Sequence, residues 1–266
     1  MSALHFANFL SPVLHRTYEY IANYVGDHLG LPTRFTVGAS LEEFLTGQAD
    51  VAFLCGLLYV HATNQPACPV ELLAAPILHG ERYRGKPIYF SDVIVRRESP
   101  YASFDDLEGC SWAYNERASH SGYNLVCYSL LEGGKSPPYF GQMLKTGSHQ
   151  ASLQAVLDGR ADATALDSHM LDVFLHHHEE VAAQIRTIAM LGPSTIPPVV
   201  VAKRLDDTLK CRIQEVLCKM HHDPLAIWRL RGGLIERFVP IADEHYQDVR
   251  EMFIRVAGSM KATPTA

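Results

Sequence analysis

Ser40-Leu41-Glu42-Glu43-Phe44-Leu45-Thr46-Gly47-Gln48-Ala49-Asp50-Val51-Ala52-Phe53-Leu54 is echoed downstream by Ser152-Leu153-Gln154-Ala155-Val156-Leu157-Asp158-Gly159-Arg160-Ala161-Asp162-Ala163-Thr164-Ala165-Leu166. Ser, Leu, Leu, Gly, Ala, Asp and Leu recur at seven matched positions. Each copy reads as an amphipathic helix that stops at a glycine able to take positive φ, then a tight x-Ala-Asp connection into a buried strand. Chance recurrence of common helix-to-strand loops is the competing explanation. Each copy, however, sits in its own set of alternating strands and helices, which favours a duplicated α/β lobe.

Upstream of the first copy, Leu4–Leu10 reads as a strand. Ser11 can cap a helix with Pro12 at its first position. Leu14, Tyr18, Ile21, Val25 and Leu29 would form its buried stripe, and Gly30 and Pro32 stop it. Arg34–Val37 follows as a strand, and Ser40 with Glu43 fits a capping box for a helix running to Gly47. Asp50–Leu54, Leu72–Leu78 and Ile88–Arg96 are further strands. After a break at Ser99–Asp106, a second set runs through strand Ser111–Tyr114, helices Tyr123–Glu132 and His149–Leu157, strand Asp162–Leu166 and helix Met170–His176. Val199–Ala202 is a late strand, and helices Asp207–Met220 and His245–Val256 follow. This alternation is α/β. Ile88–Arg96 and Pro198–Ala202 are the natural crossovers, a two-strand hinge. The expected lobes are residues 1–92 with 199–266, and residues 93–198.

With 266 residues, 47% of them hydrophobic and 20% charged, the chain is long enough for two ordinary domains of a globular protein. The formal charge of -6 argues against a general nucleic-acid binder. Apolar stretches such as Asp50–Val60 are far short of the ~20 residues that span a bilayer. Met1–Leu10 does not read as a signal peptide. The expectation is a periplasmic protein if an export signal precedes Met1 naturally, and a cytoplasmic one if Met1 is the native start. The six cysteines contain no C-x-x-C pair, and buried free thiols are expected. No metal or cofactor is called for. His176-His177-His178 point about 100° apart on a helix, and His221-His222 read likewise as a solvated face. Gly133-Gly134-Lys135-Ser136 ends like a phosphate loop but follows a helix, with Ser129 where the first glycine belongs. No catalytic or dinucleotide motif occurs.

If the lobes correspond, Cys55-Gly56 and Asp167-Ser168 lie at equivalent carboxyl ends of strands, the edge where open α/β sheets bind ligands. Two such edges would make a cleft. Ala118-Ser119-His120-Ser121-Gly122-Tyr123 lies between a strand and a helix. Ser121 can cap that helix, Gly122 allows close approach to the backbone, and the helix start favours an anion. Thr146-Gly147-Ser148-His149 repeats the theme at the next helix.

Ser119–Tyr123 resembles the Ser-Thr-Ser-Gly-Tyr motif of the phosphonate/phosphite/phosphate-type solute-binding proteins of ABC transporters. Gly147-Ser148-His149 with Ser152–Ser168 is similar to that family's Gly-x-His segment and its helix-strand unit ending in Asp-Ser. Asp50–Tyr59 resembles its early strand, and Lys86–Arg96 its crossover strand. The resemblance implies a type II periplasmic-binding-protein fold that closes by hinge motion on a small oxyanion and performs no covalent chemistry. It implies that Ser119, Ser121 and His149 hold the anionic head with backbone N–H groups near Gly122, and that Tyr59, Tyr89 and Asp167 line the rest of the cleft. His120 stands where the family has Thr, and it joins the expected ligand-binding set. Cys55-Gly56 replaces the family's Gly-Pro. An ABC permease is the expected partner of an exported chain. A cytoplasmic sensor and a pyrimidine-synthase-like enzyme, with His120 or Cys55 reactive, are the alternatives on the same fold.

Overall fold

A computed structural model describes residues 3–38, 42, 46–65, 68–135 and 138–262. The chain divides into two compact units, residues 1–88 with 195–247 and residues 89–194 with 248–266.

The first unit is built on a six-stranded sheet in the order β11-β4-β10-β3-β1-β2. Here β1 is Leu4–Asn8, β2 Thr33–Val37, β3 Val51–Phe53, β4 Val70–Leu78, β10 Val199–Ala202 and β11 Ile235–Pro240. β1 runs parallel to β2 and β3. β10 lies between β3 and β4, antiparallel to both, and β11 is antiparallel to β4. Ser11 accepts the Val13 N–H ahead of the helix His15–Leu29. Leu14, Tyr18, Ile21, Val25 and Leu29 are buried as expected. Helical spacing brings them to one face, and burying them is the main favourable term in this layer.

The second unit has a five-stranded sheet in the order β7-β6-β8-β5-β9. These are β5 Ile88–Arg96, β6 Ser111–Tyr114, β7 Gln142–Lys145, β8 Ala163–Asp167 and β9 Ile185–Thr195. β6 is parallel to β7 and β8, and β5 is antiparallel to β8. The trio β7-β6-β8 therefore repeats β2-β1-β3, each followed by an antiparallel strand delivered from a distant part of the chain. The core of this unit gathers Trp112, stacked on Phe140 at 4.3 Å, with Val93, Leu107, Val126 and Ala163.

The echo in the sequence extends to hydrogen bonds. Gly47 and Gly159 both take positive φ, 81° and 74°. Asp50 donates its N–H to the His5 carbonyl and accepts the His5 N–H on its carboxylate, both at 2.8 Å. Asp162 does the same with Ser111, both at 2.9 Å. Arg204 meets Asp50 at 2.7 Å and also donates to the carbonyls of Gly47 and Ala49. Arg96 meets Asp162 at 3.9 Å and donates to those of Val156 and Ala161. The expected capping box at Ser40 and Glu43, and most of the helix leading to Gly47, lie outside the described residues.

Two expectations are corrected. Residues 248–266, assigned from sequence to the first lobe, group with the second unit. Met252 packs on its core, and Arg255 pairs with Glu132 at 2.5 Å while covering Tyr128. All six cysteines are free, but only Cys110 is fully buried, and Cys211 is exposed.

Candidate functional site

In the second unit, β6 ends at Tyr114 and the chain turns into the segment 115–124. Ser119, rather than Ser121, is the cap: its Oγ accepts the Gly122 N–H at 3.1 Å. His120–Asn124 then forms one π-helical turn, closed by the Asn124 N–H on the Ser119 carbonyl at 3.0 Å, before the α-helix Leu125–Glu132. The wider turn inserts one extra residue into the helix start, a distortion frequent at binding sites. Ser119 accepts with its oxygen and keeps its own hydroxyl hydrogen to donate.

A side chain at Gly122 would force its neighbours to shift. A Cβ there would sit 2.0 Å from Asn115 Oδ1 and 3.2 Å from His149 Cε1. This close approach gathers Ser119, Ser121, Gly122 and His149 at two helix starts. The second helix, His149–Leu157, is capped by Ser148, whose Oγ accepts the Ala151 N–H at 3.1 Å.

Ser121 Oγ lies 3.3 Å from His149 Nε2. Burial pushes the His149 imidazole down to about 4, so it is neutral at pH 7. Its Nδ1 is buried with no hydrogen-bond partner among the described residues. The pair Ser121–His149 carries one O–H and one N–H. One hydrogen makes their mutual bond, and in either tautomer the other is left to donate. With the Ser119 hydroxyl and the helix-start N–H groups, these converging donors can match the oxygens of an anion.

The other expected residues take different positions. His120 is fully buried. Its Nε2 meets Ser194 Oγ at 2.8 Å and its Nδ1 meets Asn124 Nδ2 at 3.2 Å. Both ring nitrogens are thus engaged inside the unit, and the imidazole has no donor left for a ligand. Tyr89 is buried with its ring 6.4 Å from that of His120. Asp167 ends β8 and caps the helix Ser168–His177, accepting the Met170 N–H at 3.0 Å. Burial pushes its carboxyl up to about 6, against the lowering effect of the Met170 and His169 N–H groups, with the nearby Asp92 charge raising it further. Tyr59 belongs to the first unit. It donates to Asp243 Oδ1 at 2.6 Å and packs on Tyr246.

Two asparagines escaped the sequence reading. Asn8 ends β1 of the first unit, and Asn115 follows β6 of the second. Asn8 Nδ2 and Asn115 Oδ1 are buried without a hydrogen-bond partner among the described residues. Buried unpaired amides are uncommon and call for an explanation. An asparagine at the carboxyl end of a strand facing a helix start is the signal that could have found both. A cavity of about 340 Å³ in the second unit reaches the cradle at Gly122 and is walled by Trp112, Arg117, Tyr123, Val126 and Phe140, a mostly apolar lining with one guanidinium. Among the described residues no His, Cys, Asp and Glu cluster could hold a metal ion, and no helix is long and apolar enough to cross a membrane.

The family model for the periplasmic substrate-binding protein of phosphonate ABC transporters matches residues 6–246. The chain belongs to this family. The family's members are binding proteins of ABC transporters, not enzymes. Among solved structures, this family member is similar to a binding protein component of an ABC phosphonate transporter from Pseudomonas aeruginosa, with TM-score 0.84, 17% identity, and coverage of 98% of this chain and 88% of that one. A Prochlorococcus marinus protein solved in complex with methylphosphonate gives TM-score 0.81 at 16% identity, covering 96% and 98%. The periplasmic aliphatic sulphonate binding protein of Escherichia coli gives 0.66 at 12%, covering 98% and 89%. At these identities the likeness is one of fold, the type II periplasmic-binding-protein fold expected from the sequence.

Proposed function

We propose that this family member captures a small oxyanion of the phosphonate, phosphite or phosphate class and delivers it to an ABC permease from the periplasm. The anionic head sits on Ser119, Ser121, His149 and the N–H groups around Gly122. Tyr59, Tyr89 and Asp167 line the remainder of the site, and the two units act as lobes that close on the ligand about their crossovers. His120 supports this cradle from beneath. The single observation that carries the reading is the leftover donor of the neutral Ser121–His149 pair beside Gly122, whose Cβ position is taken by the Asn115 side chain. The Prochlorococcus relative, whose structure contains methylphosphonate, supports the choice of anion.

Specificity follows from unpaired donors. Each donor left unmatched in a dry site costs about 1–3 kcal/mol, so an anion lacking one oxygen binds roughly 5–150-fold more weakly. Calorimetric titration with methylphosphonate, phosphite, phosphate and sulfate tests this. Binding of at least one phosphorus oxyanion, weakened tenfold or more by Ser121→Ala and by His149→Ala, is expected. No heat from any of them with folded protein defeats the proposal.

A further inference from the structure

We infer that His120 is a positioning residue that ties the anion cradle to the places where the chain enters and leaves the second unit. The inference rests on the oxyanion reading of the cradle. The chain passes between units at residues 88/89, 194/195 and 247/248. Tyr89, Ser194 and Asp248 are therefore the residues of the second unit that adjoin these crossings, and His120 reaches all three, with Tyr89 as a ring neighbour at 6.4 Å, Ser194 by a direct hydrogen bond and Asp248 through Ser194.

The hydrogen-bond chain has one polarity. The Asp248 carboxylate accepts from Ser194 Oγ at 3.2 Å. The Ser194 oxygen is then left to accept from His120 Nε2 at 2.8 Å, and His120 Nδ1 accepts from the Asn124 amide at 3.2 Å. A carboxylate only accepts, and the NH₂ group of an amide only donates, so a single neutral tautomer satisfies every bond. Burial, which pushes this imidazole down to about 4, keeps it in that neutral form. Asn124 closes the π-turn on Ser119, and His120 lies between Ser119 and Ser121 in the sequence. A shift of the imidazole therefore moves the two cradle serines and Ser194 together. His120, Ser194 and Asn124 are each buried at 0–2% exposure, so none can slip independently into solvent. A threonine at this position, shorter by most of a ring, cannot span from Asn124 to Ser194.

The decisive variants lie at the far end of the chain. Dissociation of methylphosphonate is followed by stopped flow for wild type, His120→Thr, Ser194→Ala, Asp248→Ala and Asp248→Asn. His120→Thr, Ser194→Ala and Asp248→Ala are each expected to change the dissociation rate tenfold or more, and the double variant of His120→Thr with Ser194→Ala no further than either alone. Asp248→Asn, whose amide oxygen still accepts from Ser194, should stay within threefold of wild type. Rates within twofold of wild type for Ser194→Ala and Asp248→Ala, with only the melting temperature lowered, overturn the inference and leave His120 a packing residue. Should wild type bind no oxyanion, the function proposal fails on its own, and amide hydrogen exchange decides this one. His120→Thr must then speed exchange tenfold or more at Asn124 and at Asp248. Unchanged exchange there overturns it.

Discussion

Asp162 binds the backbone of Ser111 in both directions, as Asp50 binds that of His5. The two aspartates seat the third parallel strand of each unit against the first. Each also carries an arginine that reaches two carbonyls of the segment leading into that strand. Replacing either carboxylate strands a backbone N–H and takes the ionic partner from an arginine at once. Asp50→Ala and Asp162→Ala are each expected to cost about 2–3 kcal/mol in urea unfolding, from the usual penalty for orphaned donors. A loss under about 0.5 kcal/mol, the scale of an ordinary surface substitution, would show that the paired geometry contributes nothing.

Gly122→Ala places a methyl 2.0 Å from Asn115 Oδ1, so the Asn115 side chain, the helix start or both must shift. Either shift disturbs the packing of Ser121 and His149 around this glycine. Oxyanion affinity is expected to fall at least tenfold, while circular dichroism keeps the wild-type helix content. Unchanged affinity in calorimetry refutes this.

Acid should destabilise the ligand-free protein. His120 and His149 are pushed by burial from 6.5 to about 4. Between those values the unfolded chain binds more protons than the folded one, so their contribution to stability is lost as pH falls from about 6.5 to about 4. Asp167, pushed up from 3.8 to about 6, acts oppositely, and its folded form gains as pH falls through that window. Two imidazoles outweigh one carboxyl. The melting temperature should decline from pH 6.5 to 4.5, and less steeply in His120→Thr. A rise over that range contradicts the assignment.

Thiol reactivity should be ordered. Cys211 is exposed, whereas Cys110 is 4% exposed and burial pushes its thiol up to about 12. Reaction with a water-soluble disulfide reagent at pH 8 is expected to label Cys211 rapidly and Cys110 only after denaturant is added. Peptide mapping that finds Cys110 among the fast sites would contradict the buried position.

The two-lobed α/β plan was legible because its signals are local and repeated. Ser11-Pro12, the stripe from Leu14 to Leu29, and the Gly-x-Ala-Asp connections all act within a few residues of themselves. The elements missed lack such signals. Gln142–Lys145 is an edge strand with three of its four residues exposed, so it shows no alternation. Ile185–Thr195 is interrupted by Gly192-Pro193, which reads as a break. At the site, the helix starts and the convergence of Ser121 with His149 were readable from residue types. The cap was not, because the π-turn starts at His120 and so takes Ser119, two residues ahead of Ser121, as its cap. The place of His120 was invisible for another reason: Ser194, its partner, stands 74 residues away.

β10 fills the gap between β3 and β4, and this has a consequence for synthesis. A ribosome delivers β3 and β4 early, but the strand that joins them is made only after nearly the whole second unit has emerged. The first unit therefore waits, as the trio β2-β1-β3 and a lone β4, while the inner unit assembles most of its own sheet. Birth order and folding order run opposite to each other in this chain. A nascent chain arrested shortly before Val199 should leave the first unit open to protease while much of the second is already resistant.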